Sequence, residues 1–277
     1  MESTAYVQMV EASTRYILRE WQKSSRNKFP DIAVILGSGF KEAAQKLNVF
    51  CELPFSEIPY APVPGVIGHG GALLLGELSG IPCAMLTGRV HLYEGHSPNK
   101  VVHMLRAVGK AGATKVLLSN ACGSLRKEVE PGTLVAITDQ MNFTATSCLS
   151  GEGRLFGGQF VDMSQAYEKD WVEAIVKKSS AKKGVYVGLH GGAFESPAET
   201  RAYAMLGGDV VGMSTVHETI AAKQLQMRVA GLSFVSNYCG GLVDEVNHVE
   251  VLALAQTHQK TLSEAIVTTV GIMSNTH

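Results

Sequence analysis

Between Cys83 and Gly95 the chain reads CAMLTGRVHLYEG, an apolar run that empties into Arg89, His91, Tyr93 and Glu94. Such side chains at the end of a buried strand make a poor core and a good site, because loops at strand ends carry chemistry on a rigid scaffold. Arg89 can grip an anionic oxygen bidentately, and His91 can donate to it when its protonation or tautomer allows. The pattern points to an anion site. Its plainer alternative is a surface Arg89–Glu94 ion pair beside a solvated His91.

A second stretch favours the anion. Ile32 to Leu36 form a continuous apolar run, Gly37-Ser38-Gly39 interrupts it, and Lys41 to Leu47 resume with helix-forming residues. Strand, glycine turn and helix start aim backbone N–H groups at a phosphate. The third glycine of a dinucleotide fingerprint is missing and no acidic residue is placed for a ribose, which disfavours NAD.

Further polar groups recur where strands should end: Ser119-Asn120-Ala121-Cys122-Gly123, then Asp139 and Asn142, then Ser236-Asn237-Tyr238, with His69 lying between glycines in Gly68-His69-Gly70-Gly71. Phe194 and Glu195 stand just before Ser196-Pro197-Ala198-Glu199, a capping box with proline at the first helical position. That location outside a helix N-terminus predicts an ionised, accepting Glu195 carboxylate. A second box, Thr215 to Glu218, opens another helix. His91, Glu94 and His96 imitate a zinc motif, but Gly95 spoils both helix and spacing, so no metal is expected. Cys122 has no base paired with it and reads as a small buried thiol. His217 reads as a solvated first-turn residue and His103 as packing.

The elements that must hold these groups follow from periodicity. Residues 4–22 are amphipathic with a helical period. Ala72 to Leu78 and Ile81 to Leu86 form a hairpin turning at Ser79-Gly80. Residues 54–68 read as an ordered, proline-rich loop. Pro98 to Gly112 predict a helix, Lys115 to Leu118 and Val135 to Thr138 strands, and Met163 to Lys178 a helix. Gly184 to Leu189, Asp209 to Met213 and Arg228 to Val235 predict further strands, and Glu245 to Met273 one long closing helix. Residues 143–161 are Gly/Ser-rich and read as a flexible loop anchored by Phe156 and Phe160. Strands alternating with helices predict an α/β fold, with a mixed central sheet flanked by helices and residues 1–277 as one domain.

A chain of 277 residues with 45% hydrophobic content can bury one large core, and its net charge of −1 offers no basic face for nucleic acid. No apolar run is long enough for a membrane helix, and the N-terminus lacks a signal-peptide pattern, so a cytoplasmic location is expected. The five cysteines show no CxxC spacing and are expected to be reduced.

The ordered motifs ILGSGF (35–40), GHGG (68–71), GRVHLYEG (88–95), SNACGSL (119–125), AFES (193–196), GDVVGMSTVHE (208–218), SN (236–237) and NH (247–248) resemble the trimeric purine nucleoside phosphorylases over nearly the whole chain. The resemblance implies the nucleoside phosphorylase fold and a homotrimer. It also implies phosphorolysis of purine nucleosides to free base and pentose 1-phosphate, with phosphate as co-substrate and no cofactor. By similarity Ser38, His69, Arg89, His91, Asn120, the backbone of Ala121 and Ser214 surround phosphate. Tyr93, Met213 and His248 resemble sugar contacts, and Phe156 the aromatic lent by a neighbouring subunit. Phe194, Glu195 and Asn237 would face the base, with Tyr186 near it, and His91, Glu195 and Asn237 would serve catalysis.

Asn237 can both donate and accept, so with Glu195 it suits a 6-oxopurine, which favours inosine and guanosine. The related methylthioadenosine phosphorylases carry an acid at that position, and a xanthosine-accepting enzyme is the other alternative. Lys41 after GSGF, the LHGGA run at 189–193, Cys122 and Tyr238 depart from the family pattern. An inactive nucleoside-binding protein would be expected to lose some of Arg89, His91, Glu195 and Asn237, and all four are present. A nucleoside hydrolase, using water in place of phosphate, is the competing chemistry.

Overall fold

Strand β1 (Ile32–Ile35) is buried along its whole length, as its uninterrupted apolar sequence requires. Successive side chains point to opposite faces. Ala33 and Ile35 join a core beneath α1 (Ala5–Gln22), α3 (His103–Ala111) and α6 (Val216–Gln224). Ile32 and Val34 join the opposite core, covered by α4 (Lys169–Ser179), α7 (His248–Thr257) and α8 (Gln259–Ser274). The computed structural model describes residues 5–24, 28–65, 71–243 and 248–275, of which 248–252 by backbone alone. Two short helices, α2 (Pro98–Val101) and α5 (Pro197–Met205), complete the α-helices among the described residues.

A nine-stranded mixed sheet runs between the two cores, so the α/β expectation holds. One edge is antiparallel, β2 (Leu47–Pro54) against β3 (Ala72–Leu78) against β4 (Ile81–Leu86). The hairpin turns where expected, with Ser79 and Gly80 both at positive φ. Beyond it β4, β1 and β5 (Lys115–Ser124) run parallel. The far part closes on itself: β5 pairs β8 (Val210–Gly212), β8 pairs β7 (Lys182–Leu189), β7 pairs β6 (Leu134–Phe143), β6 pairs β9 (Arg228–Tyr238), and β9 returns to β5. Closure brings the carboxyl ends of β1, β4, β5 and β9 to one side, where ligands bind in such sheets.

The expected long closing helix is two helices. The Leu254 carbonyl takes the Thr257 hydroxyl at 2.8 Å and the His258 ring Nδ1 at 2.9 Å, and the His258 N–H turns to Ala255 O at 3.2 Å. Side-chain bonds that compete for a helical carbonyl end the regular ladder there. No helix among the described residues is long and apolar enough to cross a membrane.

Candidate active site

Two close approaches of backbone build the floor of the site. A Cβ on Gly37 would meet Ser119 O at 2.4 Å, so only glycine lets the β1 turn lie against the end of β5. The Ser119 hydroxyl then closes the joint, accepting from Gly37 N at 3.2 Å and donating to Ile35 O at 3.0 Å. Above these strand ends lies a cavity of about 570 Å³, within the range of small-molecule sites. Ser38, Arg89, His91, Tyr93, Asn120, Ala121, Phe194, Glu195, Met213, Ser214 and Asn237 all line it. These residues are scattered across the chain from 38 to 237, and the topology brings them together.

At one end sits Arg89, its side chain 5% exposed. Its Nη2 donates to Ile35 O at 3.1 Å and Ser119 O at 2.7 Å, while Nε and Nη1 have no hydrogen-bond partner. Its ion-pair partner is Glu218 at 3.2 Å, and Glu94 instead pairs with His91, which removes the plain surface-pair reading. Buried guanidinium donors left unbonded are what an incoming oxyanion would satisfy. Asn120 donates from Nδ2 to the Thr215 hydroxyl at 2.9 Å and keeps Oδ1 without a partner. Ser214 Oγ lies 3.1 Å from the same hydroxyl.

His91 is oriented by Glu94, whose Oε1 lies 2.8 Å from both the His91 N–H and Nδ1. The imidazole also stacks on Tyr93 with centroids 4.8 Å apart. Burial pushes the Glu94 carboxyl up, but hydrogen bonds from His91 and Gly65 outweigh it and leave it below its ordinary value. A carboxylate on Nδ1 holds the proton of a neutral ring there, which presents Nε2 as acceptor. Lys41 also lines the cavity, and partial burial lowers its pKa.

The other end carries Glu195 and Asn237. Glu195 is 7% exposed, and burial raises its carboxyl against hydrogen bonds from its own N–H and the Cys239 thiol. The capping box itself is present, with Ser196 N donating to Glu199 at 2.9 Å, and the burial of Glu195 beside it opposes the ionisation that its place before the helix favours. Asn237 Oδ1 accepts from Ser236 Oγ at 2.8 Å and Nδ2 donates to Tyr238 O at 3.0 Å, which leaves its second amide hydrogen for a ligand. A Cβ on Gly123 would meet Cys239 Sγ at 2.7 Å and Asn237 Nδ2 at 3.3 Å, so the base of this end needs glycine.

Several expectations are corrected. Phe156 is 5% exposed, stacks edge-on with Tyr6 at 5.4 Å and lies under the Arg106 guanidinium at 4.4 Å. Its ring packs within the chain's own core. Phe160, expected to anchor the same loop, is 89% exposed. Tyr186 is fully buried beneath the cavity, where its hydroxyl accepts from Ser214 N at 3.3 Å; it supports the site without reaching a base. His217 is 3% exposed, bonds Thr144 at 3.0 Å and has its pKa lowered by burial to about 4, so it is a core residue. Cys122 lines the cavity, and burial holds it as a thiol, as its missing base implied. His69 lies outside the described residues, as does the side chain of His248. The sequence marks Thr215 and Glu218 only as a helix start; the burial of Glu218 against Arg89 is a structural finding. Among the described residues no three His, Cys, Asp or Glu side chains converge as a metal site.

The phosphorylase superfamily model matches residues 31–270. Purine nucleoside phosphorylase 1 of Bacillus subtilis is 39% identical over 241 residues, covering 84% of this chain and 89% of the relative. The purine nucleoside phosphorylase of Mycobacterium bovis is 43% identical over 227 residues, covering 80% and 82%. The Schistosoma mansoni purine nucleoside phosphorylase crystallised with inosine superposes with a TM-score of 0.87 at 28% identity, covering 100% of this chain and 99% of that one.

Proposed function

Since the chain belongs to the phosphorylase superfamily, and within it to the purine nucleoside phosphorylases, we propose that it cleaves purine nucleosides with inorganic phosphate, giving free base and pentose 1-phosphate. The observation that carries the assignment to this cavity is chemical. Its Arg89 end holds buried guanidinium nitrogens that make no hydrogen bond, and its other wall holds a carboxyl and an uncommitted amide hydrogen.

Breaking the glycosidic C–N bond leaves positive charge on the sugar and negative charge on the purine, so a catalyst must stabilise both. Phosphate held by Ser38, Arg89, His91, Asn120, the Ala121 backbone and Ser214 lies against the sugar cation, and one of its oxygens bonds the anomeric carbon. The electron pair of the broken bond goes to the purine ring. Asn237 donates to a ring nitrogen as that charge grows, and Glu195 accepts a ring N–H. Phe194 covers the base, while Tyr93 and Met213 flank the sugar. His69 and His248 are assigned to the phosphate and the sugar hydroxyl by resemblance alone.

The donor and acceptor pair of Asn237 and Glu195 favours inosine and guanosine. We further assign residues 1–277 to one nucleoside phosphorylase domain that needs no cofactor, acting as a homotrimer in cytoplasmic purine salvage. Inosine, guanosine, xanthosine, adenosine and methylthioadenosine, each assayed with and without phosphate, test the reading. Base release from the 6-oxopurines that requires phosphate supports it. Phosphate-independent release, or turnover of only the last two, overturns it.

A further inference from the structure

Two of the capping boxes among the described residues have different surroundings. Glu199 is exposed and closes on Ser196 N. Glu218, with a side chain 2% exposed, accepts from Thr215 N at 3.1 Å with the same Oε2 that lies 3.2 Å from Arg89 Nη1. A cap alone gives no reason to bury a carboxylate against a guanidinium.

The residue that Glu218 holds is itself strained. Thr215 has φ 70 and ψ −50, and Val216 N bonds Ser214 O at 2.8 Å across it. This is the rare positive-φ γ-turn, in a β-branched residue for which that region is unfavourable. Such strain persists where surrounding bonds over-determine it, and it collects at sites where the geometry is used. The turn sets the Ser214 and Thr215 hydroxyls 3.1 Å apart, and Thr215 accepts Asn120 Nδ2 at 2.9 Å. One carboxylate therefore fixes Arg89 directly, and Asn120 and Ser214 through Thr215.

We propose that Glu218 is a positioning residue for the anionic co-substrate: it holds the Arg89 fork and the strained Ser214-Thr215-Val216 turn in the arrangement that receives phosphate. The inference rests on the phosphorolytic reading above. Glu218 balances the buried cation before phosphate arrives. Nη2 stays on two backbone carbonyls, and Nε and Nη1 remain available as donors.

The test is Glu218→Gln, read by separate KM values for phosphate and inosine and by the rise in Tm that phosphate alone induces. Glutamine keeps the shape but sets an amide against the guanidinium. The phosphate KM should rise about tenfold or more with the inosine KM within about twofold, the split expected of an interaction confined to one substrate. The phosphate-induced Tm rise should shrink with it. Thr215→Val, which keeps the branched shape and removes the acceptor for Asn120, should raise the phosphate KM several-fold and decides the matter if Glu218→Gln does not fold. An unchanged phosphate KM in a folded variant, or an equal rise in both KM values, overturns the proposal. Hypoxanthine release by the unaltered enzyme without phosphate would instead remove the premise, and the inference with it.

Discussion

Replacing Asn237 by leucine removes one amide while roughly keeping its volume, at the end of β9 where the departing base would carry its charge. The amide is held on both sides, by Ser236 Oγ at 2.8 Å and by Tyr238 O at 3.0 Å, so it costs no reorganisation when charge develops. Loss of one preorganised transition-state donor is worth about 2.7–4 kcal/mol, or about 10²–10³ in kcat. Because the contact strengthens only as the bond breaks, kcat and kcat/KM should fall together, with the inosine KM little changed. The stability cost should be about 0.5–1.5 kcal/mol, since Ser236 Oγ keeps its bond to Cys122 O at 3.1 Å. Steady-state phosphorolysis of inosine at saturating phosphate, with thermal unfolding alongside, measures both. A raised KM at unchanged kcat would refute the reasoning, because it would make Asn237 a ground-state contact only.

Gly123→Ala should distort the base end, since the added methyl meets Cys239 Sγ at 2.7 Å; a loss of about 1–3 kcal/mol in thermal unfolding and a lowered kcat are expected. Phe156→Ala should cost about 3–5 kcal/mol of stability as a core deletion, with the inosine KM of folded enzyme unchanged; a raised KM without loss of stability would restore its ring to a substrate site. Ionised Glu195 accepts a ring N–H far more strongly than the neutral acid, and its carboxyl is raised above 4.5 by burial, so activity should fall on acidification at a higher pH than for an ordinary glutamate. Glu195→Gln should remove that acid limb. Glu94 is depressed below 4.5, so its pairing contributes stability above that value and loses it as pH falls through the folded pKa; acid unfolding of Glu94→Gln should lack this step.

Much of the scaffold was legible where local chemistry dictates it. Ser79-Gly80 between two apolar runs can only turn a hairpin, Ile32 to Ile35 can only be buried on both faces, and Ser196 to Glu199 cap a helix. What escaped depends on contacts distant in sequence. β2 is half-exposed along much of its length and carries no continuous apolar run. Ring closure through β9 and β5 rests on strand pairs more than 110 residues apart, as with Lys115 and Arg228. The Thr215 box marks a helix start, as its spacing predicts, yet its acid faces Arg89, 129 positions earlier, which a local motif does not encode. His217 differs from its reading for the same reason: a polar first-turn residue is buried by elements that pack on it from elsewhere. The cavity residues were found because their order along the chain matches a family. Tyr186 is an exception, a side chain lying one layer beneath the wall it supports.

The central claim is that phosphate, and not water, takes the sugar. Phosphorus-31 NMR of the enzyme with inosine and phosphate measures this directly. A new phosphomonoester resonance should grow as inorganic phosphate declines, in step with hypoxanthine. Hypoxanthine accumulating beside an unchanged phosphate signal, with free ribose as the second product, would contradict it.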